Sequence, residues 1–168
     1  MVALDEALDV LFKHLDGIGV PYMIVLTADH GGHDATERNQ IRGFADDRLF
    51  TAENGLKALN AALGHGDKPA FRTEDKGSDT IVGDLYLDAA ITGEERTALL
   101  ARAKEWLGQQ PSFAAIFTKD ELLATPPSQL PPEAWTLAER AAASVDRQRS
   151  GDLVVLLKPR LSPIRNPG

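Results

Sequence analysis

The residues most able to do chemistry are an adjacent carboxylate and imidazole, Asp29 and His30, followed by Gly31, Gly32, His33 and Asp34. Asp supplies anionic oxygen and neutral His a ring nitrogen, a mixture suited to zinc and tolerable for manganese or iron. Side by side they make half of a metal site. The glycines remove side-chain bulk, so that backbone can come close to a metal or a phosphoryl group. Two protein ligands cannot complete a normal zinc coordination shell, so weak affinity is expected unless His33, a candidate weak additional ligand, or Asp34 joins them. Taken alone, Asp-His-Gly is read as readily as turn chemistry, with Asp29 capping a loop and His30 solvated.

The elements around the pair decide how it is aimed. Residues 22–27 read Tyr-Met-Ile-Val-Leu-Thr, a continuous apolar run that predicts a strand covered on both faces. At the C-terminal end of such a strand, Asp29 and His30 would be directed from rigid backbone into one crevice, where open α/β sheets place their ligands. Upstream, apolar residues from Ala3 to Leu15 recur at three- and four-residue steps and predict a helix with one buried stripe, stopped by Asp16, Gly17 and Gly19. Helix followed by buried strand suggests an α/β fold of layers, with helices on the faces of a sheet. Downstream, residues 28–48 are too long and too charged for a plain connection and form the expected site loop.

Beyond that loop the pattern predicts a helix over 51–63, strands over 70–73 and 80–87, and a helix opened at Thr92 by a capping box with Glu95. A strand over 112–117 follows, then a short helix over 119–123 capped by Thr118. A proline-rich connection leads to a helix over 132–145, a polar turn over 146–152 and a buried strand over 153–157. The expected organisation is a core helix, strand and ligand loop over 1–50, an inserted α+β subdomain over 51–125, and a return helix and core strand with an irregular tail over 126–168.

Composition narrows the function classes. In 168 residues, 43% are hydrophobic and 26% charged, ordinary values for a globular chain. With 18 Lys and Arg against 25 Asp and Glu, the net charge of −7 carries no basic stripe for a nucleic acid. Without cysteine, a metal must be held by carboxylate, imidazole, hydroxyl or carbonyl. The acidic, amphipathic N-terminus is unlike a secretion signal, and no apolar run is long enough to span a bilayer.

A strand-end Thr27-Ala-Asp-His-Gly-Gly32, with Asp34, Glu37 and Arg38 downstream, resembles the alkaline phosphatase superfamily. It is most similar to the single-chain bacterial alkaline phosphatases related to type I phosphodiesterases and nucleotide pyrophosphatases. Arg149-Ser-Gly-Asp152, followed by a strand ending in Lys158-Pro159, looks like the family's turn shortly before its last metal-ligating His. The helix from Ala3 to Leu15 looks like the one preceding the family's Asp-His-Gly strand. The resemblance implies an incomplete alkaline-phosphatase-like layered sheet and two zinc ions per complete enzyme, with Asp29 and His30 as ligands to one of them. It also implies a small-molecule phosphate ester as substrate and a periplasmic or secreted parent. The Ser or Thr nucleophile, the second zinc's Asp-x-x-x-His pair and the late His have no counterpart here. The chain is therefore expected to be a portion of a larger enzyme, without catalytic residues of its own and inactive alone. The competing reading is a non-catalytic binding or structural module that keeps the half-site.

Remaining candidates read more simply. His14 and His65 are expected in solvent, and Asp46 and Asp47 in a solvated turn. Arg38, Arg42 and Arg48 are expected as surface charge, with phosphate contact in a parent the alternative. Trp106 and Trp135 are expected in the core.

Overall fold

The computed structural model describes residues 2–28, 36–43, 48–49, 55–66, 68–74 and 79–162. The chain divides after His33 into two compact units.

The first unit contains helix α1, Val2–Ile18. Its Leu- and Ala-rich sequence favours helix, Asp5 lies in its first turn, and Lys13 pairs with Asp9 one turn away at 2.7 Å. Leu8, Phe12 and Leu15 are half-buried at the expected spacing, but no residue of α1 is buried. Residues 20–28 have no regular structure, and Met23 and Leu26 are 86% and 93% exposed. The expected buried stripe and buried strand are thus both absent from the described residues of this unit. One helix and one extended segment provide neither neighbouring strands nor enough surface to enclose a core.

The second unit is built on a sheet of β2 (Phe71–Thr73), β3 (Gly83–Leu87), β5 (Leu153–Leu157) and β4 (Phe113–Thr118), in that order and antiparallel throughout. A separate parallel pair joins β1 (Arg48–Leu49) to β6 (Leu161–Ser162). The helices are α2 (Thr36–Ile41), α3 (Leu56–Leu63), α4 (Gly93–Gly108), α5 (Lys119–Ala124) and α6 (Leu137–Ala142). Mixed α/β architecture agrees with the sequence expectation.

Leu59 and Leu63 of α3 and Leu99, Ala103 and Leu107 of α4 pack with Phe71, Leu85, Leu153 and Val155 in the main core. On the opposite face, Leu122 of α5 and Ala141 of α6 pack with Val154. Leu153, Val154 and Val155 are consequently all buried although they alternate between faces. This explains the continuous apolar run at 153–157 without a parallel sheet, because helices cover both sides. It also puts β5 between β3 and β4, in one sheet with strands expected in a separate inserted subdomain.

Helix ends follow local chemistry with two departures. Thr118 and Thr136 form complete capping boxes with Glu121 and Glu139. Thr92 occupies the N-cap position of α4, but its side chain makes no cap bond, so the box expected with Glu95 does not form. The helix expected over 132–145 is a 3-10 turn, Pro132–Ala134, followed by α6. Pro131 and Pro132 lack donors, and the Thr136 cap restarts the helix there. At the other end of a helix, Arg102 donates to the Leu63 carbonyl at 2.6 Å, a cation placed on the C-terminal dipole of α3.

Candidate functional site

Asp29, His30, His33 and Asp34 lie outside the described residues, as do Asp46 and Asp47. The described neighbours in sequence of the expected ligand loop are the exposed segment 20–28 in the first unit and α2 in the second, which opens at buried Thr36. Arg38 and Arg42 are exposed. Among the described residues no group of three or more His, Asp or Glu side chains could hold a metal ion.

The Arg149-Ser-Gly-Asp152 turn is described completely, and its groups are committed to the fold. Asp146 opens it by accepting from the backbone N–H groups of Arg149 at 2.8 Å and Gln148 at 2.9 Å, bonds that hold its carboxyl below the usual range. Ser150 Oγ accepts from Asp146 N–H at 3.0 Å, and the Ser150 carbonyl accepts from Lys119 Nζ at 2.6 Å. Tyr86 donates its hydroxyl to the Arg149 carbonyl at 3.1 Å. Gly151 lies directly against β3, where an added Cβ would sit 2.7 Å from the Leu85 carbonyl oxygen.

Asp152 completes the turn. One carboxylate oxygen accepts from Leu87 N–H at 2.6 Å and the other from the Arg96 guanidinium at 2.6 Å. Its N–H donates to the Leu85 carbonyl at 2.8 Å, and its carbonyl accepts from Lys119 N–H at 3.0 Å. The turn therefore ties β3, α4 and α5 to the start of β5. In this unit its visible work is structural. Arg96, Lys119 and Tyr86 had no sign of this role in sequence, since each comes from a different element.

Two grooves flank the sheet of the second unit. The larger, about 610 Å³, runs between α6 and the sheet, with an apolar wall that includes Val82, Leu137, Val145 and Val154. Arg140 also lines it, but its guanidinium is bound to the carbonyls of Trp135 and Glu133. The second, about 550 Å³, lies along α3 and β2 and is lined by Lys57, Lys68 and Arg72. That these cations share a surface is not readable from the sequence, because they come from a helix, a turn and a strand.

The lesser candidates resolve individually. His14 is exposed on α1, whereas His65 is half-buried with Nδ1 3.5 Å from a Glu95 carboxylate oxygen. Trp106 packs against the main core. Trp135, expected in the core, is half-buried outside both core clusters and donates to the Leu130 carbonyl at 2.6 Å. Its place in the proline-rich connection, not on a helix face, accounts for the difference.

No family model matches the chain. Among curated proteins it is 40% identical over 173 residues to alkaline phosphatase PhoD of Zymomonas mobilis subsp. mobilis (strain ATCC 31821 / ZM4 / CP4), covering 99% of this chain. It is 39% identical over 166 residues to alkaline phosphatase PhoK of Sphingomonas sp, covering 96% of this chain. Along nearly its whole length the chain is similar to alkaline phosphatases. It spans about 29% of the length of each of these relatives. Among the described residues of this phosphatase-like chain, no helix is long and apolar enough to cross a membrane.

Proposed function

We propose that the chain is a portion of a metal-dependent phosphatase or phosphodiesterase that hydrolyses small phosphate esters, and that Asp29 and His30 are ligands to one of two zinc ions. The observation that carries this reading is the match to two alkaline phosphatases along nearly the whole chain. The donor chemistry supports it: a carboxylate oxygen and a neutral imidazole nitrogen are a fitting part of a zinc site. When bound, a zinc pair would supply Lewis acidity to an in-line displacement at phosphorus.

The task of this chain in that reading is positioning. The run 22–27 would present Asp29 and His30 once strands from the rest of a longer protein cover it, which accounts for its large exposed apolar side chains here. A Ser or Thr nucleophile and the remaining ligands would come from outside the chain, and the parent would be periplasmic or secreted.

Turnover of an aryl phosphate with zinc present tests the division of labour. The 168-residue chain is expected to show no metal-dependent hydrolysis above the protein-free rate. Hydrolysis that disappears in Asp29→Ala would show that the chain holds a complete site and would overturn the reading.

A further inference from the structure

The groove along α3 and the edge strand β2 has a charge unlike that of the chain. Lys57, Lys68 and Arg72 line it together with His65, in a protein of net charge −7. The carboxylate among its lining residues, Asp79, already serves the helix. Its Oδ1 accepts from Lys57 N–H at 2.7 Å and its carbonyl from Leu56 N–H at 2.9 Å, capping the start of α3. Among the described lining residues the permanent cations thus outnumber the carboxylate.

The walls are held firmly. Asn60 donates to the Phe71 carbonyl at 2.9 Å and accepts from Phe71 N–H at 2.9 Å, fastening α3 to the open edge of β2. The Arg72 guanidinium stacks 4.6 Å from the centre of the Tyr86 ring, which restrains a side chain that otherwise carries high rotamer entropy. Leu56, Pro69 and Phe71 add apolar surface to the same groove. A phosphomonoester carries close to two negative charges near neutral pH and has oxygens for ammonium and guanidinium donors alike. Its organic group would lie on the apolar surface.

We propose that this groove binds the phosphate group of a small phosphomonoester, with Lys57 and Lys68 as charge partners and Arg72 as the directional donor. The site goes beyond the metal pair and does not depend on it. Lys57 and Lys68 are exposed, so replacing them leaves the core intact.

Amide NMR titration of the full chain with phenyl phosphate, in a chelator to remove metal, tests the assignment. Saturable shifts are expected at α3 and β2, with affinity lowered at least about tenfold in Lys57→Gln/Lys68→Gln. Inorganic phosphate is expected to compete with the ester, identifying the phosphate as the recognised group. The proposal would be overturned by shifts absent from the groove, by unchanged affinity in the double variant, or by equal binding of the monoanionic phenyl sulfate. Because metal is absent, none of these results bears on Asp29 and His30.

Discussion

Gly151 and Asp152 show how a motif noticed for its family likeness can be occupied with architecture. Gly151 is required because β3 passes where its Cβ would be, 2.7 Å from the Leu85 carbonyl oxygen and 2.9 Å from Leu85 N. Relief needs movement of backbone on both sides, since neither obstacle is the end of a flexible side chain. Gly151→Ala is expected to destabilise the second unit by about 2 kcal/mol, the middle of the range for overpacked sites. A lower urea midpoint at an unchanged m-value would confirm it, whereas an unchanged midpoint would show that the turn has room to yield. The sequence showed the Arg-Ser-Gly-Asp string but not this packing, because Leu85, Leu87, Arg96 and Lys119 meet the turn only after folding. The proposed metal ligands are the reverse case: Asp29 and His30 stand out in the sequence by type and adjacency, and both lie outside the described residues.

At the level of elements, the helices and strands of the second unit were readable where hydrophobic period and capping agreed. Thr118 has both halves of its box, accepting from Glu121 N–H at 3.1 Å while Glu121 accepts from Thr118 N–H at 2.8 Å. Partial burial pushes the Glu121 carboxyl up, but its bonds to Lys104 and to Thr118 outweigh this and leave it below the usual carboxylate range. A carboxyl lowered in the folded state contributes stability above its ordinary value and loses it as the pH falls through the lowered one. Thr118→Ala is therefore expected to cost about 1 kcal/mol near neutral pH. The difference in Tm between variant and wild type should shrink as the pH is taken below the carboxylate range. A constant difference from pH 7 to the acid limit would contradict the coupling to Glu121. Thr92 illustrates what sequence cannot decide, since it lies at the N-cap of α4 with a Glu three residues later and still makes no side-chain capping bond. Short motifs state which bonds are available, and tertiary packing chooses among them.

For the molecule as a whole, the two units differ in self-sufficiency. The second encloses a core between helix layers on both faces of its sheet, and its alternation of strands and helices was largely legible because local period and burial point the same way. The first leaves Met23, Val25 and Leu26 exposed, although their sequence reads as a strand buried on both faces. That mismatch has a physical origin: an apolar run encodes the need for neighbours, not their presence. A chain spanning about 29% of its phosphatase relatives is one in which such neighbours can lie elsewhere.

The most direct measurement is a calorimetric titration of zinc into the wild-type chain and into Asp29→Ala/His30→Ala. Weak binding in the wild type, abolished by the double substitution, is the expected result for a half-site that other parts of a longer enzyme complete. Binding of equal strength in both proteins, or no binding in either, would contradict the assignment of Asp29 and His30 as metal ligands.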